Sequence, residues 1–172
     1  LDECPAERRG NAVMLIKGLK DEDFVNYKLP CMFVVTSFCT FKCDIESGVS
    51  CCQNSSLASE KPVNISDETL IKRYMANPIT KAIVFAGLEP FDQYDEVLSF
   101  LEKLRNVYRC SDTVVIYTGY TEEEIGERVQ SLMEFGNIIV KFGRFVPNQD
   151  RRFDDVLGVY LASPNQYAKT IS

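Results

Sequence analysis

At 172 residues the chain suits one domain, and a hydrophobic fraction of 45% fits an ordinary globular core. A net charge of -6 with no basic run offers no footing for nonspecific binding to nucleic acid or an anionic membrane, and no apolar stretch reaches the roughly 18 residues of a bilayer span. Histidine is absent, which removes the Ser-His-Asp triad, the Cys-His dyad and most catalytic zinc sites.

Residues 1–13 are charged and lack the apolar segment of a signal peptide, so they are expected to be a disordered extension of a cytoplasmic protein. Residues 14–172 are expected to form a single domain. Met14-Leu-Ile-Lys-Gly-Leu19 opens it as a short strand, and Cys31-Met-Phe-Val-Val-Thr36 is an apolar, β-branched run typical of a buried strand. It leads into Ser37-Phe-Cys39-Thr-Phe-Lys-Cys43 and a polar stretch from Asp44 to Ser59. Ser66-Asp-Glu can cap a helix carrying Leu70, Ile71, Tyr74 and Met75, ended by Asn77-Pro78.

A second strand is expected over Lys81–Ala86, turning off at Gly87-Leu-Glu-Pro90. A helix follows over roughly 92–109, with Val97, Leu101, Leu104 and Tyr108 inward. Thr113–Tyr117 is a third strand; Thr121 with Glu124 forms a capping box for a helix burying Ile125, Val129 and Leu132. Asn137–Val140 is a fourth strand, and a short one is possible at Val156–Leu161. Alternating strands and helices imply an α/β domain with a mainly parallel sheet; a chain this short could close only part of a barrel. Cys39, the Gly87–Pro90 turn and Thr118-Gly119 then all follow C-terminal ends of successive strands, the edge where parallel sheets bind ligands.

Seven cysteines stand at positions 4, 31, 39, 43, 51, 52 and 110, five of them between 31 and 52. Odd number and local clustering favour a metal over a disulfide framework, and thiolate ligands suit iron–sulfur clusters or zinc. Cys39-x3-Cys43 lets two thiolates reach one centre, with a third from Cys51 or Cys52. A cluster, a zinc-stabilised loop and unligated buried thiols all remain open on spacing alone.

Cys39-Thr-Phe-Lys-Cys43 resembles the first half of the Cys-x3-Cys-x2-Cys motif of the radical S-adenosylmethionine superfamily, although eight residues separate Cys43 from Cys52. Cys52-Gln-Asn54 resembles the Cys-x-Asn that often ends this motif, which favours Cys52 as the third ligand. Gly87-Leu-Glu-Pro90 resembles the Gly-Gly-Glu-Pro motif, and Tyr117-Thr-Gly-Tyr120 resembles the Trp-Thr-Gly-Tyr segment of the proteins that activate anaerobic ribonucleotide reductase. Asp23-Phe-Val-Asn26, Gly143-Arg-Phe145 and Ser163-Pro-Asn-Gln166 are weaker likenesses to that family. Lys141 stands where the family commonly has an acidic residue.

The resemblance implies a fold, a cofactor pair and a reaction. The fold would be an open β/α barrel of radical S-adenosylmethionine type. Cys39, Cys43 and Cys52 would hold a 4Fe-4S cluster, Gly87 and Glu89 the methionine end of S-adenosylmethionine, and Thr118 and Gly119 its nucleoside. Reductive cleavage to a 5′-deoxyadenosyl radical would generate a glycyl radical on a partner, anaerobic ribonucleotide reductase, with reduced flavodoxin or ferredoxin as electron donor. The alternatives are a small-molecule radical enzyme similar to 7-carboxy-7-deazaguanine synthase and a zinc-stabilised binding domain without catalysis.

Overall fold

The structure, a computed structural model, describes residues 12–172. Most of the expected extension, residues 1–11, lies outside the described residues. Its last residue, Val13, already pairs with Ser66, and the Ala12 carbonyl accepts from Asp67 N at 3.2 Å.

The chain runs β1 (Val13–Asp23), β2 (Cys31–Thr36), α1 (Lys42–Ser47), α2 (Ser55–Ser59), β3 (Val63–Ser66), α3 (Asp67–Ala76) and β4 (Ala82–Gly87). A 3-10 turn over Pro90–Gln93 leads into α4 (Tyr94–Glu102), then β5 (Thr113–Tyr117), α5 (Glu122–Leu132) and β6 (Ile138–Phe142). The tail holds β7 (Arg152–Asp154), β8 (Val159–Leu161) and β9 (Tyr167–Thr170). Seven strands form one sheet in the order β3-β1-β2-β4-β5-β6-β9, and β7 with β8 forms a separate hairpin.

This corrects the expected fold. The sheet is mixed: β2-β4, β4-β5 and β5-β6 pair in parallel, whereas β1-β2, β1-β3 and β6-β9 are antiparallel. Among the described residues it does not close, so the protein is not a β/α barrel. The physical reason lies in the connections. Parallel neighbours need a crossover of a dozen or more residues, and the helix-bearing connections between β2 and β4, β4 and β5, and β5 and β6 supply it. Residues 24–30 join β1 to β2 too briefly for that, so β1 returns antiparallel.

Strand alternation divides the core in two. Met32, Val34, Ile83, Phe85, Val114, Ile116, Ile138 and Val140 face one side, where α3, α4 and α5 bury Leu70, Ile71, Phe100, Leu101, Val129 and Leu132 against them. Phe85 and Phe100 meet edge to face with centroids 5.1 Å apart. The other side presents smaller side chains, Cys31, Ala82, Val84, Ala86, Val115 and Ile139, and is covered by Tyr27, Leu157, Leu161 and Ala168. Toward the C-terminal strand ends, Phe33, Tyr117 and Lys141 of that face line a cavity.

Local expectations hold where side-chain chemistry decides. The Ser66 hydroxyl accepts from Thr69 N at 3.1 Å, and Thr121 with Glu124 forms the capping box. Met75 is exposed rather than inward, because α3 packs through Leu70, Ile71 and Tyr74. The expected helix over 92–109 is a composite of the 3-10 turn, α4 and a π-helical segment at Lys103–Val107. The polar stretch 44–59 contains the two short helices α1 and α2.

Candidate metal centre

β2, β4 and β5 are parallel neighbours, so their C-terminal ends fall along one edge of the sheet. Cys39 follows β2, Gly87 to Pro90 follow β4, and Thr118-Gly119 follow β5. Cross-links fix this edge. Glu89 N donates to Phe38 O at 2.7 Å, Thr40 N donates to Asp92 Oδ2 at 2.9 Å, and Tyr120 hydroxyl donates to Asp92 Oδ1 at 2.7 Å.

The cysteine loop is folded back on itself by a residue the sequence did not single out. Asp44 Oδ1 accepts from both Cys51 N and Cys52 N at 2.8 Å. This draws the segment after α1 against its start, so the eight residues between Cys43 and Cys52 form a compact turn. Left-handed Phe41 (φ 52°) enters α1 and Gly48 (φ 70°) leaves it. Asn54 Nδ2 then donates to Gly87 O at 2.7 Å, tying the loop to the end of β4. The two adjacent cysteines diverge. Cys52 lines the cavity, whereas the Cys51 sulfur lies 3.2 Å from Ser47 Oγ and 3.6 Å from Cys43 O.

One cavity of about 760 Å³ has Cys39, Cys43, Cys52, Gly87, Glu89, Thr118 and Gly119 on its wall, with Lys141 among them. Cys31 is buried in the sheet, and Cys110 packs on the helix-side core. Gly87 has φ 92°, and a Cβ there would stand 2.4 Å from Val35 Cγ1; the position demands glycine for the fold itself. At Gly119 a Cβ would stand 3.5 Å from Glu89 Oε2, 3.6 Å from Arg144 Cγ and 3.8 Å from Cys43 Sγ. A side chain there would fill the gap between a thiol and a carboxylate on the cavity wall.

The charges around the cavity are arranged unevenly. Glu89 is 6% exposed; its Oε2 accepts from Gly119 N at 2.8 Å and its Oε1 from Phe91 N at 3.0 Å. Burial pushes its carboxyl up to about 7, against those two hydrogen bonds. Burial also raises the thiols: Cys39 to about 11, with Cys43 and Cys52 shifted the same way and the neighbouring Cys52 thiol adding to both Cys39 and Cys43. Three thiols so placed ionise together only when a cationic centre binds them. Lys141, buried on β6, is lowered to about 8 by burial, with Glu89 and Cys43 holding it up.

Three thiols on one cavity wall are soft donors that fit an iron–sulfur cluster, which takes each thiolate on a separate iron, and suit zinc as well. Among the described residues no helix is long and apolar enough to cross a membrane.

Comparison with protein families accords with this chemistry: the family described as 4Fe-4S single cluster domain matches residues 30–161, which include all the cavity residues discussed up to Leu161. No curated protein and no solved structure matches the chain. The matched span covers most of the sequence and takes in β2, the cysteine loop and the ends of β4, β5 and β6, and the chain therefore belongs to the 4Fe-4S single cluster domain family.

Proposed function

We propose that the chain is a radical S-adenosylmethionine enzyme that generates a glycyl radical on anaerobic ribonucleotide reductase, drawing electrons from reduced flavodoxin or ferredoxin. The observation that carries this reading is the gathering of Cys39, Cys43 and Cys52 on one cavity wall with Gly87, Glu89, Thr118 and Gly119. Cys39, Cys43 and Cys52 would hold a four-iron cluster through three thiolates, and the iron without a protein ligand would be available to the amine and carboxylate of S-adenosylmethionine. When bound, the cluster supplies the one electron that cleaves the sulfonium to methionine and a 5′-deoxyadenosyl radical.

The chain's own residues bind and orient. Glu89, buried and without an ion pair among the described residues, offers its free lone pairs to the N–H groups of the ligand amine. Gly119 keeps the cradle beside Cys43 open, and Thr118 presents its end of β5 to the nucleoside. Asp44 and Asn54 hold the cysteine loop over the strand ends.

The test is anaerobic reconstitution followed by reduction with dithionite in the presence of S-adenosylmethionine. The expected product is 5′-deoxyadenosine, together with a glycine-centred doublet in electron paramagnetic resonance when the cognate reductase is added. A full, reducible cluster that forms no 5′-deoxyadenosine would refute the enzyme reading. 5′-Deoxyadenosine without a partner radical would refute the activating role. One feature favours a second reading, a small-molecule radical enzyme similar to 7-carboxy-7-deazaguanine synthase. The cavity extends past Gln149, Arg151 and Tyr160, and its volume lies in the range that encloses small ligands.

A further inference from the structure

Both signs of charge stand around the three thiols. Glu89 and Asp92 act on Cys39, Lys141 feels both Glu89 and Cys43, and Arg144 is the other cation that Cys43 influences. The two cations differ in what they are free to do. Arg144 is committed: Nη1 and Nη2 donate to Glu124 at 2.8 and 2.6 Å, and its Nε lies 3.2 Å from Glu46 Oε1. Its charge is balanced by those carboxylates.

Lys141 is not balanced. Strand alternation puts it on the Ile139 side of β6, and it lines the cavity wall. It is 6% exposed, donates to Gly143 O at 2.8 Å and more weakly to Thr118 O at 3.5 Å, and lies 6.0 Å from the Tyr117 ring centre. Carbonyls and a ring orient an ammonium without neutralising it, and among the described residues no carboxylate pairs with Lys141 within ion-pair distance. A buried cation left in this state is costly unless something anionic completes it.

Resting on the placement of the cluster on Cys39, Cys43 and Cys52, we infer that Lys141 is a buried countercharge that makes this cluster easier to reduce. Three thiolates leave the assembly anionic, and the incoming electron adds a further negative charge. A fixed positive group beside Cys43 therefore stabilises the reduced form more than the oxidised one, because the Coulomb attraction grows with the charge it faces. Little else near the sulfur should change on removing it: Gly143 O keeps its bond from Gln166 Nε2 at 3.2 Å. Lys141 would thus be a positioning residue for charge, acting through the cluster without touching the reacting bond.

The experiment compares the reconstituted wild type with Lys141→Met, Lys141→Gln and Lys141→Arg by iron content, circular dichroism and potentiometric titration. Iron and fold should be retained in all four. The two neutral variants should be at least tenfold harder to reduce, about 59 mV for a one-electron step, and Lys141→Arg should stay near wild type. Full iron with unchanged potentials in both neutral variants would overturn the inference and leave the cluster assignment standing. Loss of the cluster from both while they remain folded would also overturn it, since the lysine would then be holding the site. A wild type that takes up no iron would overturn this inference and the cluster reading together.

Discussion

One face of the sheet is filled by large side chains and the other is not. Met32, Ile83, Phe85, Phe100 and Ile116 are at most 1% exposed beneath the helices. The opposite face packs smaller residues such as Ala82, Val84, Ala86 and Val115, and at its strand ends opens on a cavity lined by a buried carboxylate, a buried amine and three thiols. The helix side gains dispersion contacts and area removed from water, the usual sources of stability. The cavity side forgoes volume and carries poorly solvated charge, both unfavourable until a ligand restores the contacts. The two faces alternate residue by residue along the same strands, so folding and binding are separable by single substitutions.

The largest effect should come from the filled face. Phe85→Ala removes a fully buried ring and its edge-to-face partner, and denaturant unfolding of the apoprotein should show a loss of about 3–5 kcal/mol. A loss below about 1 kcal/mol would show that this face is not the stabilising one. Next, Glu89→Gln should weaken S-adenosylmethionine binding by roughly 1.5–3 kcal/mol at unchanged iron content, because a bond from the ligand amine to a charged carboxylate is lost. Calorimetry giving equal affinities would leave Glu89 as the cap of the Pro90–Gln93 turn, through its bond from Phe91 N.

Gly119→Ala separates the two faces more sharply. The contacts its methyl would meet, at 3.5–3.8 Å, are ordinary, so melting should change by less than about 0.5 kcal/mol. Uptake of S-adenosylmethionine should nevertheless fall about tenfold, roughly 1.4 kcal/mol, as the cradle beside Cys43 fills. Normal uptake would place the ligand elsewhere.

The smallest effect concerns the ion pair that braces the cysteine helix. The hydrogen bonds from Arg144 hold Glu124 at about 2, well below the roughly 4.3 of an unfolded glutamate. A depressed carboxyl contributes stability above its unfolded value and loses it as pH falls toward the folded one. The advantage of wild type over Glu124→Gln, under roughly 1 kcal/mol for so accessible a carboxylate, should therefore shrink from about pH 5 downward. A pH-independent gap would contradict the pairing.

What the sequence made legible follows from how local each signal is. β2, β4, β5 and β6 announce themselves as apolar runs, and Ser66 and Thr121 cap their helices as their chemistry requires. The edge strands β3 and β9, Val-Asn-Ile-Ser and Tyr-Ala-Lys-Thr, lack such a pattern; their pairing is decided by distant partners, and with them went the mixed character of the sheet. In the site, the cysteines and strand-end turns stood out by type and spacing. Asp44 did not, because an aspartate in a polar loop carries no signal that its carboxylate gathers two backbone amides seven and eight residues on. Lys141 was visible only as a departure from a family pattern, and its orientation into the cavity emerges from strand register.

The central claim is that Cys39, Cys43 and Cys52 hold one four-iron cluster. Iron and sulfide content after anaerobic reconstitution tests it most directly, across alanine variants of Cys31, Cys39, Cys43, Cys51, Cys52 and Cys110. The cluster should disappear in Cys39→Ala, Cys43→Ala and Cys52→Ala, since no histidine is available to substitute, and persist in the other three. Full iron content in Cys39→Ala, or loss in Cys51→Ala with retention in Cys52→Ala, would contradict it.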